Sequence, residues 1–532
     1  MPIRMTNDKD NNDDEKKENK SESSSFWLFA IIGIVFAAIF KYPKVMIPVL
    51  LVAGLLFGSF LCFGDTEYES DAEKTEQREN SKSLHRAMGS RFDQKKYAAA
   101  KVYEPLAEGY GNELPSKYSL LKYAPKRKNQ GDQGSCTGWA VSYAARTILQ
   151  AKLTGENPDE IAFSPAYLFN QNTDAKCNGA YPSDLLEDLK KEGNLPYEEF
   201  PYNENSCRKK PNASHKEMAK AYKIDGYQRL TVDGEDYDTD VNSVKQYLSH
   251  GAPVIISMNV GGSFNEFGGK VWIPKFADYE SAKKYKASGG NEPEDWGGHA
   301  MTAIGYDDDL EGGAVQVMNS WGMDWGDQGT FWLRYEDFNQ FIREAYSVYP
   351  IAKPKANDVR NLKFGLVENT SKKFIKLTKV GEFTYRTTNP ILKGTRFKVA
   401  VTNEAPTYVY IFGQETDNSS YVLFPYNKSH SPYCGPGGVR TFPRKQSLEA
   451  DRIGERDSIA VVLSSKNLDY ENLNSKINQM NGKTYSEKLK QAFSGSISTK
   501  VTLGEGGDYI ELASKETQLD KMSILVIEFD KK

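Results

Sequence analysis

Residues 129–148 read NQGDQGSCTGWAVSYAARTI, a glycine-bearing loop that ends at Cys136 and passes directly into an apolar, alanine-rich run. The run predicts a helix that begins near Cys136. A cysteine in the first turn of a helix lies at the positive end of the helix dipole, and this favours the nucleophilic thiolate. Cys136 is therefore a candidate nucleophile. The pattern alone is weak, because a cysteine before a helix is more often a small buried residue.

A second patterned stretch contains the other groups that such chemistry needs. Residues 297–306 read GGHAMTAIGY, and residues 317–329 read VMNSWGMDWGDQG. The chain has 5 histidines, and His299 alone lies in a patterned stretch. Asn319 follows His299 by 20 residues, a spacing that suits two neighbouring strands joined by a turn.

Taken together, these stretches resemble the papain-like cysteine peptidases. The family pattern is Gln-Gly-x-x-x-x-Cys, then His-Ala-x-x-x-x-Gly-Tyr, then Asn-Ser-Trp-Gly-x-x-Trp-Gly-x-x-Gly. Gln130 precedes Cys136 by six residues, His299 follows Cys136 by 163 residues, and the last motif is complete over residues 319–329. The resemblance extends from residue 114 to residue 351.

The resemblance implies an α+β, papain-like two-lobed fold, with a helical lobe and a β-barrel-like lobe, and it implies an enzyme. Cys136 would attack the peptide carbonyl, and His299 would keep the sulfur ionised and later protonate the leaving amine. Asn319 would orient the imidazole. Gln130 and the Cys136 backbone N–H would form the oxyanion hole.

Three further residues are implied to bind substrate or to shield the site. Trp321 would exclude water from the hydrogen bond between His299 and Asn319. The stretch CNGAYP at residues 177–182 is similar to the substrate-cleft loop of the family, which implies that Gly179 and Ala180 bind substrate.

The sequence also departs from the family pattern. Thr137-Gly138 separate Cys136 from the tryptophan that usually follows it, so we expect an altered first helical turn. Ala180 replaces a usual glycine, and alanine tolerates a positive φ poorly. Cys177 and Cys207 lack their usual family partners, so we expect both thiols to be free. A disulfide between the two, in an oxidising compartment, remains the alternative.

The amino-terminal region has two unlike parts. Residues 1–25 are highly charged with mixed signs, which predicts disorder. Residues 26–40 and 45–63 are apolar runs around a KYPK break. We interpret 26–64 as a transmembrane helical hairpin. Two alternatives remain open: a single transmembrane span preceded by an interfacial helix, and a pair of helices buried in the core of a soluble protein.

Composition shifts predict the rest of the organisation. Residues 353–532 contain short β-branched and aromatic runs, at 407–412, 421–424, 458–463 and 522–529, with turn signals between them, which predicts a β-sandwich-like accessory domain. One inserted helix is predicted within it, over residues 475–493. It resembles, weakly, an uncharacterised β-rich domain that bacteria attach to peptidases. The predicted order is a disordered tail (1–25), a transmembrane region (26–64), a linker or short pro-like segment (65–112), a papain-like domain (113–352) and the accessory domain (353–532).

Composition limits the partners. The chain has 68 basic and 72 acidic residues, and this balance gives no electrostatic case for nucleic-acid binding. No clustered metal ligands or phosphate loop occur, so we expect no cofactor and no metal. The expected partners are a protein or peptide substrate and the membrane, whereas the partner of the accessory domain cannot be inferred.

We therefore expect a membrane-anchored cysteine endopeptidase, of bacterial inner-membrane type, whose full chain is active without cleavage. The lysine and arginine counts and the free thiols favour a cytoplasmic-facing enzyme. An exopeptidase or transferase that uses the same residues remains an alternative. A membrane-tethered binding protein with an inert peptidase domain is the alternative from another class.

Overall fold

Two modules make up the part of the chain that the computed structural model describes. The first module comprises residues 86–349, and the second comprises residues 3–7 and 359–532; both belong to one structural unit. The described residues are 3–7, 86–107, 110, 114–231, 239–291, 293–349, 359–482, 484–493, 497–498, 501–503, 507–515 and 522–532.

The amino-terminal strand belongs to the second module. Strand β1 (Ile3–Asn7) pairs antiparallel with residues 446–450, and Met5 lies opposite Leu448. The prediction of disorder over residues 1–25 is therefore wrong for residues 3–7. The run IRMTN is too short and mixed to be recognised as a strand by itself, and it gains its hydrogen bonds from an edge 440 residues away.

The first module contains one mixed sheet with helices on it. Its strands are β2 (Lys117–Ser119), β3 (Tyr227–Arg229), β4 (Val254–Val260), β5 (Val271–Trp272), β6 (Gly297–Asp307), β7 (Ala314–Met318), β8 (Thr330–Arg334) and β9 (Ile342–Val348). They run in the order β3-β9-β4-β6-β7-β8-β5, with β2 on β6. Every residue of β4 is buried. Its apolar run fits a strand covered on both faces, because Ile255 packs into one core and Ile256 into another.

The helices of the first module include the predicted one at Cys136. It is continuous through the stretches Cys136–Gly138, Trp139–Arg146 and Thr147–Thr154, which we together call α2, after α1 (Gln94–Ala99). The middle stretch is π-helical. The other helices are α3 (Pro165–Asn172), α4 (Pro182–Lys191), α5 (Ala213–Ala219), α6 (Val241–Ser249), α7 (Phe276–Ala287) and α8 (Tyr335–Phe341).

Helix α2 packs closely against α3, and this explains Gly138. A Cβ atom at this position would lie 2.5 Å from the carbonyl oxygen of Pro165. Trp139 then points into the core, between the rings of Tyr143 and Tyr202. The side chain of Ser164 caps α3 by accepting a hydrogen bond from the N–H of Tyr167.

The second module is formed by two sheets that share a core. Besides β1, its strands are β10 (Val359–Glu368), β11 (Leu377–Lys379), β12 (Thr384–Thr387), β13 (Arg396–Asn403), β14 (Thr407–Gln414), β15 (Ser420–Phe424), β16 (Tyr433–Cys434), β17 (Val439–Phe442), β18 (Gln446–Ala450), β19 (Arg456–Ser464), β20 (Ile497–Ser498), β21 (Val501–Leu503), β22 (Ile510–Lys515) and β23 (Met522–Asp530). One sheet has the order β1-β18-β13-β10-β22-β21 and the other β11-β12-β23-β19-β14-β15. Side chains from both sheets, such as Phe364 of β10 and Val461 of β19, meet in one apolar cluster.

Two helices occupy the position of the single helix that the sequence predicts over 475–493. They are α9 (Tyr470–Gln479) and α10 (Tyr485–Ala492). The break has a local cause, because Thr484 and Glu487 form a capping box that starts a new helix.

The predicted membrane region, residues 26–64, lies outside the described residues. Within the described part of the chain, no helix has the length and apolar character that a bilayer crossing needs.

Candidate active site

The start of α2 lies against strand β6. The Cys136 sulfur accepts a hydrogen bond from the backbone N–H of Ala300, at 3.3 Å. One turn further along, the Thr302 hydroxyl donates to the carbonyl oxygen of Ala140, at 3.0 Å. These two contacts fix the helix start beside the strand that carries His299.

His299 and Asn319 meet as the strand pairing predicts. His299 Nε2 lies 2.7 Å from Asn319 Oδ1, which also accepts the Ser320 backbone N–H at 2.7 Å. The Trp321 ring stacks on the imidazole, with the centroids 4.5 Å apart. The other ring nitrogen, His299 Nδ1, is buried and makes no hydrogen bond to the described residues.

Gln130 is the fourth residue of the site, after Cys136, His299 and Asn319, and the Ser320 side chain positions the Gln130 amide. The Ser320 hydroxyl donates to Gln130 Oε1 at 2.6 Å, so the amide nitrogen points towards the cleft. The sequence interpretation did not include Ser320. The sequence feature that could have identified Ser320 is its position directly after Asn319.

Residues 86–91, which we call the cleft segment, lie in this cleft. The carbonyl oxygen of Ala87 accepts hydrogen bonds from Gln130 Nε2 at 3.1 Å and from Trp321 Nε1 at 3.3 Å. The N–H groups of Gly89 and Ser90 donate to the carbonyl oxygen of Gly298, at 3.1 and 2.8 Å.

The cleft segment also pairs with the loop at residues 177–182. The Ala180 N–H donates to the Gly89 carbonyl oxygen at 2.9 Å, and the Arg91 N–H donates to the Ala180 carbonyl oxygen at 3.0 Å. Ala180 is therefore a backbone-binding position, as its place in the loop predicts. Ala180 itself has no positive φ; the loop residues with a positive φ are Cys177, at 59°, and Gly179, at 107°.

The fit between the segment and the cleft leaves no room for extra atoms. A Cβ atom on Gly89 would lie 1.9 Å from the Gly134 carbonyl oxygen, and one on Gly298 would lie 2.1 Å from the Ser90 carbonyl oxygen. Backbone therefore packs on backbone from both sides.

The residue of the cleft segment that Gln130 holds differs from the residue that faces the thiol. Gln130 holds the carbonyl of Ala87, whereas the sulfur of Cys136 faces the N–H of Gly89, two residues further along. Attack would require one carbonyl group to reach both the sulfur and the oxyanion donors.

Burial makes the two reacting groups neutral. It raises the pKa of the Cys136 thiol to about 11 and lowers the pKa of His299 to about 4, because both charged forms lose water. Near pH 7 the pair is thus thiol and imidazole. Cys136 and His299 are both 0% exposed.

Cys177 and Cys207 form a disulfide, with their Cα atoms 5.8 Å apart. The expectation of two free thiols is wrong, because the two cysteines pair with each other. The bond ties the cleft loop to the chain at residue 207. In the described residues no cluster of His, Cys, Asp and Glu is suited to hold a metal ion.

A family model described as "Papain family cysteine protease" matches residues 121–351. The chain contains a papain-family cysteine protease domain. A second model, described as "Domain of unknown function (DUF4384)", matches residues 392–466, within the second module.

Known proteins are similar over the protease domain. "Cathepsin B-like CP2" of Giardia intestinalis is 27% identical over 209 residues, which are 39% of this chain and 63% of that protein. "Cysteine proteinase 2" of Zea mays is 30% identical over 38% of this chain and 50% of that protein. The crystal structure of xylellain, a cysteine protease from Xylella fastidiosa, is 21% identical, with a TM-score of 0.39 over 50% of this chain and 97% of that chain. The match thus spans less than two thirds of these two curated relatives.

The closed cleft predicts that Cys136 of the protease domain resists alkylation. Gly89→Ala should raise its rate of alkylation about tenfold or more, since the clash of the new Cβ opposes the closed state by more than about 1.4 kcal/mol. Peptide-resolved mass spectrometry after iodoacetamide treatment measures the rate.

Gly268→Ala is the matched control, because a Cβ there meets nothing within 4 Å and Gly268 has no positive φ. It should leave the rate unchanged. Rapid alkylation of the wild-type chain, or equal rates for wild type and Gly89→Ala, would contradict the closed cleft.

Proposed function

We propose that the chain is a papain-type cysteine endopeptidase that acts on protein or peptide substrates and is held latent by its own cleft segment. The observation that carries the proposal is the convergence of Cys136, His299, Asn319 and Gln130 at one cleft. The expectation that the full chain is active without cleavage is replaced here, because the segment occupies the place of a substrate.

Catalysis begins when the cleft segment leaves. Water then reaches Cys136 and His299, and the desolvation that keeps both neutral is relieved. The start of α2 favours the thiolate, and the imidazole accepts the thiol proton at Nδ1.

The open site then cleaves a peptide in two steps. The thiolate attacks the carbonyl carbon, and His299 protonates the amine as the C–N bond breaks, which leaves an acyl thioester on Cys136. Water attacks the thioester with His299 as the base, and the acid and the thiol are released.

Asn319 and Gln130 serve the same reaction. Asn319 Oδ1 accepts from His299 Nε2, which turns Nδ1 towards the sulfur, and Trp321 shields this hydrogen bond. Gln130 Nε2, together with the Cys136 N–H, stabilises the oxyanion, and Ser320 is a positioning residue for Gln130.

We also propose that residues 26–64 anchor the chain in a membrane. The pairing of β1 with β18 supports the hairpin over a single span, because strands on opposite sides of a bilayer cannot hydrogen bond. Both ends of the hairpin then lie on one side, with both modules.

The disulfide supports an oxidising side for both modules, since disulfides persist outside reducing compartments. This proposal replaces the expectation of a cytoplasmic-facing enzyme, which rested on the lysine and arginine counts and on free thiols at Cys177 and Cys207. In spheroplasts of bacteria that express the full chain, external protease should digest the second module. Protection of that module until lysis would restore the cytoplasmic placement.

Variants of the catalytic group test the proposed mechanism in the Gly89→Ala chain, whose cleft should be open. Cys136→Ala should abolish peptide hydrolysis. Gln130→Ala should lower kcat about 10²- to 10³-fold through the loss of one oxyanion donor. Asn319→Ala should lower kcat and still allow labelling of Cys136 by an epoxide inactivator, since orientation is lost but the nucleophile remains.

Hydrolysis that persists in Cys136→Ala would refute the nucleophile. An Asn319→Ala variant with the kcat/KM of its Gly89→Ala parent would refute the orienting role. An open Gly89→Ala chain that takes no epoxide label would favour the inert binding protein.

A further inference from the structure

The chain that follows the cleft segment runs between the two modules. We call residues 97–107 the strap. Its central residue, Val102, forms parallel bridges with Arg229 on one side and with His430 on the other. Val102 and Tyr103 are fully buried.

One edge of the strap binds the first module. The Arg229 N–H donates to the Lys101 carbonyl oxygen at 2.9 Å, and the Tyr103 N–H donates to the Arg229 carbonyl oxygen at 3.3 Å. The Tyr103 hydroxyl also donates to Asp240 Oδ2, at 3.1 Å. The ring of Tyr97 packs edge-on against Tyr346, with centroids 5.2 Å apart.

The opposite edge binds the second module. The Val102 N–H donates to the Ser429 carbonyl oxygen at 2.7 Å, and the Ser431 N–H donates to the Val102 carbonyl oxygen at 2.8 Å. Further along, the Ala107 N–H donates to the Val439 carbonyl oxygen at 2.8 Å. Arg440 is buried, and its Nε donates to the carbonyl oxygen of Glu104, at 3.1 Å.

The part of the second module that binds the strap is itself fixed to the first module. The rings of Tyr433 and Tyr349 stack with centroids 3.6 Å apart. The Tyr349 and Ser431 hydroxyls are 2.9 Å apart. The strap thus lies in a slot with one wall from each module.

We propose that the second module, whose domain has no known function, locks the latent state by closing this slot over the strap. The proposal rests on the latent peptidase proposed above and adds its regulation. Around Val102 the strap is hydrogen-bonded to the first module along one edge and to the second module along the other, so the cleft segment is tethered close to Cys136. When the second module moves away, the strap keeps the hydrogen bonds of one edge only, and the cleft segment leaves more often.

Proline substitutions in the strap test the lock, because they delete single donors to the second module. Val102→Pro removes the donor to Ser429 and leaves the Lys101 and Tyr103 hydrogen bonds to Arg229 intact. Ala107→Pro removes the donor to Val439. Both should raise the rate of Cys136 alkylation, by about threefold to tenfold for one ordinary hydrogen bond.

Ala107→Ser is the matched control, since it keeps the N–H at a partly exposed position. It should behave as wild type. Folded proline variants with the melting temperature and Cys136 protection of wild type would overturn the lock. Faster alkylation without peptide hydrolysis in the same variants would refute the peptidase and leave the lock standing.

The unaltered full chain provides a second measurement if the proline variants do not fold. Cys434 is buried in the core of the second module, so its alkylation reports the unfolding of that module. In a urea series, Cys136 should become reactive no later than Cys434, because unfolding of the second module removes one wall of the slot. Cys136 that stays protected at a urea concentration where Cys434 reacts, with the first module still folded, would overturn the lock.

Discussion

The structure depends on the close approach of two backbones at Gly89. There the cleft segment lies against Gly134, Gly179 and Gly298, so closely that a Cβ atom at Gly89 would not fit between the backbones. This contact closes the cleft and removes water from Cys136 and His299. A single contact thereby both blocks substrate and keeps the reacting pair neutral.

The positions of the proposed catalytic group were largely predictable from the sequence. A nucleophile at a helix start, a histidine on a strand and an amide on the next strand require particular residue types at fixed spacings. The sequence therefore carries the positions of Cys136, His299, Asn319 and Gln130, and the structure brings them together. The structure confirms the strands that the sequence predicts at 407–412, 421–424, 458–463 and 522–529. They were predictable because these runs are rich in β-branched and aromatic residues and are bounded by turns.

The features that sequence reasoning missed depend on backbone contacts between distant segments. The cleft segment binds through its backbone N–H and C=O groups, which every residue type except proline possesses, so its sequence shows no motif. Strand β1 and the strap gain their partners in the same way. The sequence left the pairing of Cys177 with Cys207 as the alternative to two free thiols, because each cysteine lacks the partner that the family gives it.

The central claim is that the cleft segment itself keeps the enzyme latent. A full chain with a site-specific cleavage site inserted between residues 107 and 114 allows the amino-terminal part to be cut off and separated. The account predicts that kcat/KM for a peptide substrate rises on separation and falls again when a synthetic peptide of residues 86–107 is added back. A full chain that hydrolyses the substrate as fast before the cut as after it would contradict the account.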